Sequence, residues 1–102
     1  MIYVVATIDT QPGKREQVLQ RFARIVPLVR AEVGCLGYSP TVDVETNINT
    51  QVDPRNDVIT VVEQWEDIEA LEMHLMAPHM IEHRAAVKAI VKSVSLRVLE
   101  PV

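Results

Sequence analysis

Three histidines follow the only tryptophan of the chain, Trp65, and lie within ten positions of one another: His74, His79 and His83. Imidazole is the side chain best suited to moving a proton near neutral pH, because its ordinary pKa is about 6.5. The chain has only four aromatic residues, so an indole gathered with three imidazoles beside an apolar run is unusual. We expect a functional site in this segment.

Two of these histidines also form a literal H-x-x-E-H sequence, His79-Met80-Ile81-Glu82-His83, which is the inverted zinc-protease motif. A catalytic zinc site needs a third ligand from elsewhere and a substrate cleft. Only nineteen residues follow His83, and short motifs of this kind arise by chance. The sequence therefore predicts no metal site.

Composition limits the class of protein. The chain has 102 residues, a net charge of −4 and a single cysteine, Cys35, and no run approaches the ~18 consecutive apolar residues of a membrane span. These properties predict one domain, residues 1–102, in the cytoplasm, with neither nucleic acid nor a membrane as partner. We interpret Cys35 as a small buried side chain rather than a nucleophile.

Periodicity predicts four strands and three helices. The long first helix contains Pro27, which is expected to bend it, and Asp67 is a predicted N-cap. A polar run at 45–57 is either a loop or a lengthened hairpin. The predicted elements are strands 2–9, 36–44, 58–65 and 94–99, a first helix over 14–33, a short helix that begins after Asp67, and a last helix over 78–91. This βαββααβ order is an α+β fold of the ferredoxin-like type with a four-stranded antiparallel sheet.

Apolar residues occupy both faces of the predicted sheet. Tyr3 and Val5 alternate with the apolar residues of strand one, and Val62 alternates with Val61 in strand three. Helices cover only one face of such a sheet, so the second face is expected to pack on another surface. A homodimer formed sheet to sheet is the simplest arrangement.

Helical geometry directs the histidines toward the same interior space. His83 falls on the apolar face of the last helix and His79 at its edge, whereas His74 falls at the border of an inward face formed by Ile68, Leu71 and Leu75. The alternative is that each histidine is a partly buried residue that bonds to the backbone.

Other residues near these histidines have two interpretations each. Trp65 is either a core residue or a wall of a ligand site. Tyr38 and Glu63 are either cross-strand partners or polar groups that face a cavity. We therefore treat Trp65, Tyr38, Glu63 and His83 as candidate substrate-binding residues.

Several motifs, taken in order and spacing, resemble the antibiotic biosynthesis monooxygenase family, and in particular its bacterial quinol monooxygenases. They are Ile25-Val26-Pro27, Glu32-Val33-Gly34-Cys35, Glu63-Gln64-Trp65-Glu66, His74-Leu75, Pro78-His79-Met80 and the closing Leu96-Arg97-Val98-Leu99-Glu100-Pro101. The resemblance implies a ferredoxin-like dimer whose sheets form an α/β barrel. It also implies an enzyme that oxidises a hydroquinone or polyphenol with O₂ and needs neither metal nor flavin.

For such a reaction the resemblance implies a base that removes a phenolic proton. We expect His74 or His79 in that catalytic role, with Trp65 shaping the ring pocket and His83 or Tyr38 orienting a quinol oxygen. No cofactor is expected. The alternative hypothesis is a dimeric quinone-binding module without turnover, because this fold is widely reused.

Overall fold

The computed structural model describes all 102 residues. It has seven elements, of which four are strands of one sheet and three are helices. They are β1 (Ile2–Thr10), α1 (Arg15–Arg30), β2 (Cys35–Thr41), β3 (Val58–Trp65), α2 (Ile68–Leu75), α3 (Pro78–Val87) and β4 (Val91–Leu99). The strand order is β2-β3-β1-β4, and every pair of neighbours is antiparallel. The predicted ferredoxin-like βαββααβ fold is confirmed.

The core lies between the helices and one face of the sheet. In β1 the even-numbered residues from Ile2 to Thr10 are buried, as the two-residue period of a strand requires. Antiparallel pairing sets Ile2 opposite Trp65, Val4 opposite Glu63 and Ala6 opposite Val61 on that inner face. From α1 the buried residues are Val18, Phe22, Ile25 and Val29, spaced as one helical face.

The ends of several elements differ from the predicted ones. Helix α3 ends at Val87, where the Ile90 N–H donates to the Val87 carbonyl over 2.9 Å. The Gln11 N–H then donates to the carbonyl of Ile90, also over 2.9 Å, so these residues turn into β4, which begins at Val91 rather than Val94. Helix α1 runs through Pro27 and ends at Arg30.

The chain between β2 and β3 forms neither helix nor strand, so of the two predicted alternatives the structure has the loop and not the lengthened hairpin. Asp43 and Arg55 hold the two ends of this loop together through a 2.8 Å ion pair. Arg55 also accepts a hydrogen bond at its carbonyl from Arg15 of α1. The loop is therefore tied to the body of the fold.

The second face of the sheet carries no helix and is only partly apolar. Tyr3, Val62 and Leu99 are exposed there, with Val62 at 47%, and they alternate in space with Thr60 and Arg97. The prediction of two apolar faces holds for part of this surface. No helix of the protein combines the length and the apolar character needed to cross a lipid bilayer.

Candidate functional site

A cavity of about 340 Å³ lies between the inner face of the sheet and the helices. Its lining is mainly aliphatic and aromatic, from Ala6 and Ile8 on one side to Phe22 on the other. The titratable side chains that reach it are Tyr38, Glu63, His74, His83, Arg84 and Lys88. An apolar cavity of this size with a few convergent polar groups has the general form of a small-molecule site.

His74 lies deeper than predicted. Helix α2 begins at the predicted cap, where the Asp67 side chain accepts from the Ala70 N–H over 2.8 Å. The helix buries Leu71 and His74. Ile68 and Leu75, both predicted to point inward, are 48% and 37% exposed. An eight-residue helix presents a narrow stripe to the sheet, and here that stripe is centred between positions 71 and 74.

Aromatic rings enclose the imidazole of His74, whose residue is only 2% exposed. Its centroid is 4.6 Å from that of Trp65 and 5.5 Å from that of Tyr38, both in tilted contact. Trp65 does not itself line the cavity; it packs behind His74. Trp65 is therefore a core residue that supports a cavity residue, and it does not contact the cavity itself.

A single carboxylate oxygen holds two of the three histidines. Oε2 of Glu32 lies 2.9 Å from Nδ1 of His74 and 2.8 Å from Nε2 of His79. Glu32 follows the end of α1, and the histidines belong to α2 and α3. Glu32 belongs to the motif Glu32-Val33-Gly34-Cys35, but nothing in the sequence predicts its contact with the histidines.

The contact with Glu32 determines which tautomer of His74 is stable. A carboxylate only accepts hydrogen bonds, so Nδ1 of His74 carries the proton and donates it, and Nε2 keeps its lone pair. Nε2 has no partner within the chain and is not sealed from solvent. Burial lowers the pKa of His74, and the bond to Glu32 partly opposes that shift. The ring is thus a neutral acceptor, and His74 belongs to the lining of the cavity.

His83 differs from His74 in its hydrogen-bonding character. It is buried in the cavity lining, with its centroid 4.7 Å from that of Phe22, and its Nδ1 is buried without a partner. An orphaned N–H is costlier than an orphaned lone pair, so the stable tautomer places the proton on Nε2. Burial, together with the charges of Arg84 and Arg21, lowers the pKa of His83 to about 4. His83 is therefore a neutral hydrogen-bond donor.

Glu63 is a buried carboxyl group on the inner face of β3. Its Oε1 accepts from the Trp65 indole N–H over 2.9 Å. Burial raises the pKa of Glu63 to about 7, more than the indole bond lowers it. Burial and the nearby carboxylates Glu63 and Glu32 likewise raise the pKa of Tyr38, which keeps its phenol protonated.

The remaining candidates lie apart from the cavity. His79 does not line it; this partly exposed ring sits over Glu32 at the surface between α1 and α3. No three His, Cys, Asp or Glu side chains converge as metal ligands. Cys35 is partly buried, and burial raises the pKa of its thiol, which disfavours the nucleophilic thiolate.

Comparisons of the whole chain with known proteins point to one family. The family model described as antibiotic biosynthesis monooxygenase matches residues 1–88. A relative from Escherichia coli K12, named Probable quinol monooxygenase YgiN, is 45% identical over 103 residues, spanning 99% of this chain and 98% of that protein.

Solved structures show the same fold. PA3566 from Pseudomonas aeruginosa superposes with a TM-score of 0.81 at 27% identity, covering 99% of this chain and 93% of that one. A protein from Nitrosomonas europaea reaches a TM-score of 0.84 at 12% identity, covering 100% and 99%. The family model and the Escherichia coli relative confirm the resemblance and, with it, the prediction of an oxidoreductase enzyme: the chain belongs to the antibiotic biosynthesis monooxygenase family.

Proposed function

We propose that this protein is a quinol monooxygenase, which oxidises a small aromatic hydroquinone with O₂, and that His74 is its base. The observation that carries the proposal is the arrangement of His74: Glu32 holds its Nδ1, its Nε2 has no partner in the chain, and the residue lines an apolar cavity. The name of the Escherichia coli relative supports the choice of a quinol. No cofactor enters the proposal.

Proton removal is the step that an imidazole can assist. A quinolate reacts with oxygen far more readily than a quinol, because it gives up an electron more easily. Transfer from a phenol with a pKa of about 10 to an imidazole with the ordinary pKa of about 6.5 is uphill by about 5 kcal/mol, and the lowered pKa of His74 makes the transfer costlier. A turnover of about 10 per second tolerates a barrier of about 16 kcal/mol, so a neutral histidine is a sufficient base.

The two cavity imidazoles have complementary roles toward a quinol. His74 accepts the proton of one hydroxyl, and the Nε2–H of His83 donates to a quinol oxygen. Tyr38 borders the same space and offers a second donor. Trp65 supports the ring of His74 from behind. The apolar walls exclude water, which limits the escape of reduced oxygen species.

His79 has a supporting role in this proposal. Its Nε2 meets Glu32 rather than the cavity, so it holds the carboxylate that positions His74. Of the two histidines that the sequence left open as the base, the geometry favours His74.

The decisive experiment measures oxygen uptake with a chemically reduced naphthoquinone. We expect the protein to consume oxygen faster than the spontaneous autoxidation of the same quinol, measured in parallel without protein. If no quinol exceeds that baseline, the proposed activity is wrong. Quenching of Trp65 fluorescence by quinone in the absence of turnover would then favour a binding module.

We also propose that the cytoplasmic enzyme is a homodimer that packs through the open sheet face. Exposed Tyr3, Val62 and Leu99 supply the apolar contact area. Introducing a charge with Val62→Asp should convert a dimer of 11.5 kDa chains into monomers, because an unpaired carboxylate in an interface is costly.

Light scattering after size exclusion measures this change directly. The matched control is Met73→Asp, which places the same charge on the exposed side of α2 and should leave the mass unchanged. A wild-type protein that is monomeric at micromolar concentration would contradict the proposed dimer.

A further inference from the structure

We infer that Glu63 is a second catalytic residue, which takes the other phenolic proton of the quinol and passes it to reduced oxygen. The inference rests on the proposed quinol oxidation and extends it. A quinol that becomes a quinone loses two protons, and the base His74 accounts for only one of them.

The position of Glu63 suits contact with a ligand. β-Sheet register places it on the inner face between Val4 and Tyr38, and it is only 5% exposed. The Trp65 indole holds Oε1. The other carboxyl oxygen has no partner in the chain, yet it is not sealed off, and the residue lines the cavity.

No positively charged side chain pairs with Glu63. The titratable groups on the cavity are Tyr38 from β2, His74 from α2, and Arg84, His83 and Lys88 from α3 or just beyond it, whereas β1 and β4 contribute none. Neither Arg84 nor Lys88 pairs with Glu63 within 4.0 Å. The charge of Glu32, beyond α1, acts against ionisation of Glu63.

A carboxyl group in this setting is neither reliably ionised nor reliably neutral near pH 7. Its pKa of about 7 lies near the operating pH, where a group can both accept and return a proton. Structural carboxylates are usually paired, and Glu63 has only the indole N–H. This makes a purely structural role a poor explanation.

The proton and electron balance is complete. The quinol gives two electrons and two protons to O₂; two O–H bonds break, one proton passes to His74 and one to Glu63. If both protons end on oxygen without oxygen insertion, the products are the quinone and hydrogen peroxide. If one oxygen atom enters the ring, a ring C–H bond also breaks and supplies two further electrons. Of the three hydrogens released, two leave in water and one stays on the new hydroxyl, so the products are a hydroxyquinone and water and both groups again return to their resting protonation states.

The test is the pH dependence of quinol oxidation by Glu63→Gln. Wild-type kcat/KM, corrected for autoxidation, should rise with pH through about 7, because only ionised Glu63 accepts a proton. Glutamine can still accept the Trp65 N–H, so the fold is expected to persist. The variant should lose the rise near pH 7 and about 10²-fold in rate.

Two further variants separate chemistry from structure. Glu63→Asp keeps a carboxyl group and should retain a pH-dependent rise even if its rate is lower, and it serves if the glutamine variant does not fold. Glu66→Gln removes an exposed carboxylate outside the cavity and should leave the profile unchanged.

The outcomes distinguish this inference from the proposed function. If wild type never exceeds the autoxidation baseline, the quinol activity itself is wrong. If wild type is active and Glu63→Gln keeps the wild-type rate and pH profile, Glu63 carries no proton and the inference is overturned.

Discussion

Replacing His74 with glutamine should reduce the autoxidation-corrected rate of quinol oxidation by about 10²–10⁴-fold, the usual contribution of a positioned base. The glutamine amide can still donate to Glu32, but no nitrogen lone pair remains to take the phenolic proton. Oxygen uptake at saturating quinol measures the effect. The loss should appear in kcat, because the apolar walls that hold the ring are unchanged.

Glu32→Gln tests how His74 is positioned. A glutamine amide can turn its N–H toward Nδ1, which would move the proton of His74 to Nε2 and leave no acceptor in the cavity. A large loss of kcat without loss of folding is expected from this nearly isosteric change, and Glu32→Asp should restore part of it. Glu82→Gln, an exposed change on α3, is the matched control.

An unchanged rate in His74→Gln would remove His74 as the base. An unchanged rate in Glu32→Gln alone would show that the tautomer of His74 does not depend on Glu32. The ¹⁵N shifts of the His74 ring report the tautomer directly, so they separate this effect from a general loss of structure.

Trp65→Ala should lower the free energy of unfolding by about 3–5 kcal/mol, the usual cost of truncating a fully buried large aromatic residue. Trp65 is wholly buried, faces Ile2 and Cys35 across the sheet, and packs on His74. Urea unfolding followed by circular dichroism gives the change, since the substitution removes the only indole fluorophore.

Trp65→Phe should cost less, because most of the buried volume remains. It removes the indole N–H that Glu63 accepts, and with it a contact that lowers the pKa of Glu63. The pH profile of the phenylalanine variant should therefore shift upward. Met73→Ala, on the exposed side of α2, should change stability by less than about 0.5 kcal/mol; a loss in Trp65→Ala no larger than this would contradict the prediction.

Much of the fold could be predicted because its patterns are local. The strand from Val58 to Trp65 was predicted with the bounds that the structure shows, since β-branched residues lie between clear turn signals. Asp67 was identified as a cap from residue type and position alone. The predicted α3 is too long because Ile90 continues the apolar period, whereas in the structure the Ile90 carbonyl accepts from the Gln11 N–H and the chain turns there.

Local sequence patterns predict less of the candidate site than of the fold. Glu32 lies 42 residues from His74 and 47 from His79, and no periodicity links residues so far apart. The rotation of α2 is set by packing on β3, so Ile68 and His74 could not be ranked from spacing. Glu63 and His83 were selected for their chemistry, but their burial is a property of the folded chain.

The shared oxygen of Glu32 also has a thermodynamic consequence. Because one atom accepts from rings on two helices, the three residues form a coupled unit rather than three independent contributors. Removing either ring changes the hydrogen-bonding environment of the other, so the effects of single substitutions will not sum. For this cluster the meaningful quantity is the interaction energy between His74 and His79, transmitted through a carboxylate that belongs to neither helix.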